Sequence, residues 1–506
     1  MRKKTLSALL CTVAAMAVLT GCGGDKKETA AAPAEGNTTA AVTEAAKTEA
    51  ETTAAVQTEA GGEKNLVMPS ASCVANLNPL LEGYKEAAML NPIYDPLYVI
   101  DVNETRYYLA DSYEVSEDGM QITVKLKEGL KWHDGEAITA DDMIFTMDVC
   151  SDTNNGAGGT NIVILNDQPV KYEKVDDLTV KVTLPMASAS YADLLGGLTL
   201  IPEHVFEGNP SVVSAGEANM KGIGSGPYKV TEFKQDEYLL LEKYEDYYMG
   251  APSIDKVTFR IISDLSAQEV ALMNGEVNFM ELANAPAVAK YEADPNFTVV
   301  KYPEGRVNYL AVNKFCETVQ DPKVVEAVFA ALNRDEIIAG AYGDGMAESA
   351  NSIFSNVNTF YDPSVEGYTQ DVEKAKQLVK ETGLDSKTLT LYFNSERVYM
   401  KESAQIIQQQ LKNVGINLEV IPLESAGFFE KVFGTDGDYE FYLNGYGAVG
   451  DPDQVVAGMY DGTWGVNLAV SDEVSQLWKD ARTVYTPEER AAIYKQIQIQ
   501  TRDELT

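Results

Sequence analysis

Residues 109–147 read "LADSYEVSEDGMQITVKLKEGLKWHDGEAITADDMIFTM", and two kinds of order follow one another in this run. Tyr113 and Val115 precede a Ser116-Glu117-Asp118-Gly119 turn, after which Ile122, Val124 and Leu126 alternate with Thr123, Lys125 and Lys127. Alternation of period two across a glycine-containing turn predicts a hairpin with one buried face. Thr139 with Asp142 three positions on has the form of a capping box, so a helix is expected to begin there. Trp132 and His133, in the turn between, read as structural residues. A further strand is expected at "LTVKVTL", where Leu178, Val180, Val182 and Leu184 share one side.

Outward from this β-rich region the pattern changes. Asp321-Pro322 supplies an N-cap and a first-turn proline for a helix carrying Val324, Val325, Val328, Ala331 and Leu332 at helical spacing. "TLTLYF" (388–393), a helix carrying Ile406, Ile407, Leu411 and Val414, the stop at Gly415, and "INLEVI" then predict a β-α-β unit with parallel strands and a right-handed crossover. Thr486-Pro487-Glu488-Glu489 marks the start of a last helix. No period of 20 to 50 residues recurs, which argues against a solenoid.

The chain begins Met1-Arg2-Lys3-Lys4, continues through an apolar run to Leu19, and reaches Leu19-Thr20-Gly21-Cys22. A basic start, an apolar run too short to span a bilayer and a small residue before cysteine predict a signal peptide over 1–21, with Cys22 as the lipidated first residue of the mature chain. Residues 22–64 are Ala-, Thr- and Glu-rich, lack aromatic side chains and cannot bury enough surface to offset chain entropy. They are expected to form a disordered tether with a reach of roughly 35 Å. The formal charge is −37; without Arg2, Lys3 and Lys4 it falls further, so nucleic acid is excluded as a partner and the membrane is met only through the lipid. Cys73, Cys150 and Cys316 remain for pairing, which permits one disulfide at most. With only His133 and His204 in the whole chain, a zinc or Cys-His catalytic site has little raw material, and no cofactor is expected. His204 in "IPEH" reads as a packed residue near a segment start.

"LNGYGAVGDPDQ" (443–454) places Gly445, Gly447 and Gly450 in the spacing G-x-G-x-x-G after the strand "YEFYLN". Its position beyond a strand's carboxyl end favours a ligand site. Its chemistry disfavours a dinucleotide, because Asp451 and Asp453 put carboxylates where a pyrophosphate would meet helix-end amides. The candidate ligand contacts are Asn444 at the strand end, Tyr446 as an aromatic platform, Asp451 and Asp453 toward a cationic group, and Trp464 in "DGTWGVN". The alternative role for the Asp-Pro-Asp run is to fix a turn and cap a helix.

The order of segments resembles the extracellular solute-binding proteins of ABC importers, family 5, the peptide and nickel group. The resemblance is carried by "LNPLL", "YDPLYVID", the run at 109–147, "IPEHVF", "GSGPYKV", "YEDYYMGAPSIDKVTFRII", "NYLAVNKF", "DPKVVEAVFAALNRDEII" and "GDPDQ", over residues 65 to 503. It implies an α/β fold of the hinged, two-lobed periplasmic-binding-protein type (class II-like) with an additional β-rich lobe. Lobe I would comprise 65–98 and 197–305, lobe II 99–196, and lobe III 306–506, with a strand returning to lobe I beyond Thr506. It further implies no enzyme but an extracytoplasmic lipoprotein that traps a small solute, foremost an oligopeptide, between two lobes and passes it to permease subunits. A metal-chelate or oligosaccharide carrier, or a lipid-anchored adhesin or sensor on the same fold, are the alternatives. The chain departs from the peptide-binding pattern in two places. Where such members carry an aspartate for the peptide α-ammonium it has Ala448, and where a tryptophan is expected three residues earlier it has Gly445.

Overall fold

The computed structural model describes residues 63–82, 88–100, 104–165, 167–282, 284–447, 450–461, 466 and 468–504. The expected signal peptide, Cys22 and almost all of the tether lie outside them, as do Ala448 and Trp464. Strand β1 (Asn65–Ser70) opens the described chain. β2 (Ala110–Val115) and β3 (Gln121–Leu126) form the expected antiparallel hairpin, with Tyr113 opposite Val124 and Val115 opposite Ile122. Gly119 takes φ +65° in the turn, a conformation that side chains resist. The capping box forms as read: the Thr139 N–H donates to Asp142 Oδ2 at 2.9 Å and Thr139 Oγ1 accepts from the Asp141 N–H at 3.2 Å. It opens α1 (Ala140–Ser151).

β4 (Lys171–Asp176) and β5 (Thr179–Thr183) complete a four-stranded sheet in the order β2-β3-β5-β4. Ile122, Val124, Leu126, Val180 and Val182 bury the alternating face, joined by Trp132 and by α2 (Tyr191–Gly196) through Tyr191 and Leu195. The ring of His133 is fixed by Gly226 O at 2.9 Å from Nε2 and by the Gly224 N–H donating to Nδ1 at 3.2 Å. Burial lowers its pKa to about 4, so it packs as the neutral ring. His204 differs from expectation: it is partly exposed, 2.9 Å from the Asp134 carboxylate.

β6 (Tyr228–Lys234), β7 (Tyr238–Lys243) and β8 (Lys256–Ile261) follow. β1 pairs parallel with β8, giving the order β1-β8-β7-β6. The chain therefore leaves this sheet after Ser70, builds the β-rich sheet, and returns. All three remaining cysteines, Cys73, Cys150 and Cys316, are free thiols, so the one permitted disulfide does not form.

The third sheet comprises β9 (Arg306–Val312), β10 (Thr388–Asn394), β11 (Asn417–Leu423) and β12 (Phe441–Gly447), in the order β9-β12-β10-β11. α3 (Pro322–Ala331), α4 (Arg334–Ala341) and α5 (Val398–Asn413) cover it. β10 and β11 are parallel, as the β-α-β reading requires, and Gly415 at φ +93° stops α5. β9 runs antiparallel to β12, so the sheet is mixed. Successive residues face opposite sides of a strand. Phe441 and Leu443 accordingly join Leu389, Leu391 and Phe393 in one core, while Tyr442 and Tyr446 join Tyr309 and Trp478 in the other. α6 (Pro452–Val455) and α7 (Pro487–Glu504) follow β12.

Candidate functional site

Four ends meet at one edge of the third sheet: the carboxyl ends of β10, β11 and β12 and the start of β9. Phe393 pairs with Leu443, and Arg306 lies opposite Gly447. In an open α/β sheet the crevice outside this edge is where ligands bind, since strand ends and loops there present groups that no neighbouring strand consumes.

One face of the edge is built from tyrosines. The Tyr309 ring lies 5.4 Å from Tyr446 and 6.3 Å from Tyr442. Tyr309 also sits opposite Asn444 in the strand register. The hydroxyl of Tyr446 donates to Ile353 O. Burial raises the pKa of Tyr446 far above the ordinary phenol range, so it remains a neutral donor. Of the residues singled out from sequence, Asn444 and Tyr446 therefore come together here. Tyr446 is fixed on both its ring and its hydroxyl.

Asp451 and Asp453 stand further along the loop, with partners of their own. Asp451 caps α6 by accepting from the Asp453 N–H at 3.0 Å, and binds Arg490 through both oxygens at 2.6 and 2.9 Å. This pair is buried, at 10% and 7% side-chain exposure, and Arg490 also donates to Tyr494 Oη at 2.9 Å. Asp453 pairs with Arg482 and accepts from Ser190 Oγ at 2.7 Å. Ser190 precedes α2, whose Tyr191 and Leu195 pack in the β-rich core, so the Asp453 carboxylate ties the loop to that core. That is the turn-fixing alternative for Asp-Pro-Asp.

The opposite face of the edge carries a cluster that the sequence reading missed. Arg306 Nε donates to Asn308 Oδ1 at 3.1 Å and Nη2 to Gly445 O at 2.8 Å. A Cβ on Gly445 would stand 2.2 Å from Asn308 Oδ1 and 3.0 Å from Arg306 Nε, so a bare backbone here is what admits the guanidinium. The hydroxyl of Tyr342 neighbours both Asn308 and the Arg306 charge; burial nevertheless raises its pKa to about 12. Its ring stacks on Tyr399 at 5.2 Å, and the Tyr399 hydroxyl accepts from Arg397 Nη1 at 3.1 Å. The sequence signal available was Gly445 itself, which leaves space where a tryptophan was expected.

The same fold recurs in known proteins. A family model described as bacterial extracellular solute-binding proteins, family 5 Middle, matches residues 104–467. The dipeptide-binding protein of Escherichia coli (strain K12) is 27% identical over 478 residues, covering 87% of this chain and 88% of that protein. The ABC transporter substrate-binding protein CtaP from Listeria monocytogenes is 32% identical with a TM-score of 0.81, over 88% of this chain and 91% of that one. The oligopeptide-binding protein AppA from Bacillus subtilis, solved with a nonapeptide, is 26% identical with a TM-score of 0.69, over 87% and 92%.

Proposed function

The chain belongs to the bacterial extracellular solute-binding proteins of family 5, and from that membership we propose that it captures an oligopeptide for an ABC importer. The observation that carries this reading is the near full-length match to relatives named for dipeptide and oligopeptide binding. Peptide is held at the carboxyl edge of the third sheet, with hydrogen bonds to the ligand main chain giving tolerance of side chains. Capture follows a population shift: contacts made from both sides of the cleft exist only when the lobes 65–98 with 197–305 and 306–506 close, so ligand favours the closed state. No bond of the solute is made or broken.

The chain works outside the cytoplasmic membrane, held by a lipid on Cys22 and the tether over 22–64, and delivers solute to permease subunits. Among the described residues no helix is long and apolar enough to cross a membrane. The anchor is read from the sequence of residues 1–22.

Native mass spectrometry of gently purified protein, followed by sequencing of what co-purifies, tests the reading. A family of short peptides is expected. A sugar or a metal chelate released in place of peptides would overturn it.

A further inference from the structure

The hydrophobic cores do not run evenly through the described chain. The β-rich core takes in Leu80, Leu97, Leu200, Ile201 and Phe206 from the segments that leave the first sheet and return to it. Hydrogen bonds fasten the same seam: the Ile201 N–H donates to Thr146 Oγ1 and the Glu203 N–H to Asp142 Oδ1, both at 3.0 Å. The first sheet and the β-rich sheet therefore share one packed body. The third sheet is different. Its two cores draw on residues 309–497 alone, so among the described residues no apolar cluster crosses from it to the other sheets. A boundary without a shared core is where packed parts can separate.

What crosses that boundary near the glycine loop is polar. Ser190 Oγ donates to Asp453 Oδ2 at 2.7 Å and accepts from Gln454 Nε2 at 2.9 Å. The Asp451 N–H donates to the Asp193 carboxylate at 3.1 Å, and the Ala189 N–H donates to Arg482 O at 3.1 Å. Tyr485 adds a close seat on the β2–β3 turn, where a Cβ on Gly119 would stand 2.4 Å from its ring. The charges are placed so that parting strands none of them. Asp451 keeps Arg490 and Asp453 keeps Arg482, each on its own side of the boundary. The ties that cross are donated by neutral hydroxyl, amide and backbone groups, and water replaces such bonds at small net cost.

Such a joint suits a contact that is made and broken repeatedly. We propose that Ala189, Ser190 and Asp193, together with Asp451, Asp453 and Gln454, form a latch that is made when the cleft closes and parts when it opens, so that it sets how long a solute is held without touching it. This rests on the capture by closure proposed above. The latch stands where it can act on the site, because residues 450–454 follow directly on β12, whose Asn444 and Tyr446 lie at the ligand edge. Contacts present only in the closed state add their net worth to its population. Ser190 and Gln454 are positioning residues in this scheme, and their effect is the same for every solute that the cleft encloses.

Stopped-flow binding of several short peptides of unrelated sequence to the full chain tests the latch, with the wild type, Ser190→Ala, Gln454→Ala and the double variant compared. Ser190→Ala loses two hydrogen bonds and should release every peptide roughly 10-fold faster, and Gln454→Ala, which loses one, roughly 3-fold faster, with association rates unchanged. The double variant should release no faster than Ser190→Ala, since both changes remove a shared contact. Ties that persist in the open state cancel from the affinity. Release at the wild-type rate in both single variants, with unchanged melting temperatures, therefore overturns the proposal. Losses that add in the double variant overturn it as well, as do losses that differ from peptide to peptide, which would place these side chains against the solute. If no peptide binds the wild type, the peptide reading falls instead, and the same cycle run with the solute that co-purifies decides the latch.

Discussion

The Asp193 carboxylate, on α2 in the β-rich core, accepts a hydrogen bond from the backbone N–H of Asp451 at 3.1 Å, across 258 residues of sequence. Around it Ser190 donates to Asp453, Gln454 Nε2 donates to Ser190 Oγ at 2.9 Å, and the Ala189 N–H donates to Arg482 O at 3.1 Å. The Asp-Pro-Asp loop is thus a polar joint between the second and third sheets. Its acids are stabilising only while their partners remain, because a buried charge that loses its partner is left without either water or counter-charge.

Replacing Arg490 with Met should therefore cost about 3–5 kcal/mol, since Asp451 would be stranded at 10% exposure. Urea unfolding measures the loss. The double variant Asp451→Asn with Arg490→Met should recover much of it, because the uncompensated charge is then gone; equal losses in the single and double variants would contradict the assignment.

Asp193 responds to pH in a calculable direction. Burial, and secondarily the Asp451 charge, raises its pKa above the ordinary carboxylate value. The ionised form is thus penalised in the fold. That penalty is absent below the unfolded pKa of about 3.9, grows as pH rises toward the folded pKa, and is complete above it. Asp193→Asn keeps the acceptor for Asp451 and removes the charge. Its melting temperature relative to wild type should rise with pH, from near equality at about pH 3 to a clear gain at neutrality. A difference that stays flat across this range would contradict the burial of the charge.

His133 gives the opposite slope. Its pKa falls from the ordinary value to about 4 through burial, so the unfolded chain takes up a proton that the fold refuses. Its contribution is complete above about pH 6.5 and is lost as pH falls toward 4, up to ~3 kcal/mol in all. Unfolding free energy measured between these limits should show that decline. His133→Gln should lower stability at neutrality and remove this part of the pH dependence.

Gly445→Ala tests the space over which the guanidinium lies. The new methyl would stand 2.2 Å from Asn308 Oδ1 and 3.0 Å from Arg306 Nε and Nη2. Those side chains must shift, at roughly 1–3 kcal/mol of overpacking strain. Peptide affinity measured by calorimetry should drop. A variant that binds as tightly as wild type would show that the Arg306 position is not needed.

Much of the fold is legible along the chain because its signals are local. The period-two run at Ile122, Val124 and Leu126, the Thr139–Asp142 box, the Asp321-Pro322 helix start and the Gly415 stop each act within a few residues. Pairings over long separations carry no such signal. Nothing near Asn65 announces that β1 will pair with β8, or that β9 will run antiparallel beside β12. The site divides along the same line. Asn444 and Tyr446 are singled out from the sequence because they lie on a strand with a glycine loop after it. Arg306, Tyr342 and Arg397 are brought together from three distant segments, and their meeting follows only from the topology. The acids of the loop invite a ligand role by type, but Arg482 and Arg490, the partners that occupy them, are 29 and 39 residues away.

Solution scattering of the purified chain, alone and saturated with the peptide that co-purifies with it, tests the central claim most directly. Capture by closure predicts a smaller radius of gyration with peptide than without. Superimposable curves at full occupancy would contradict it.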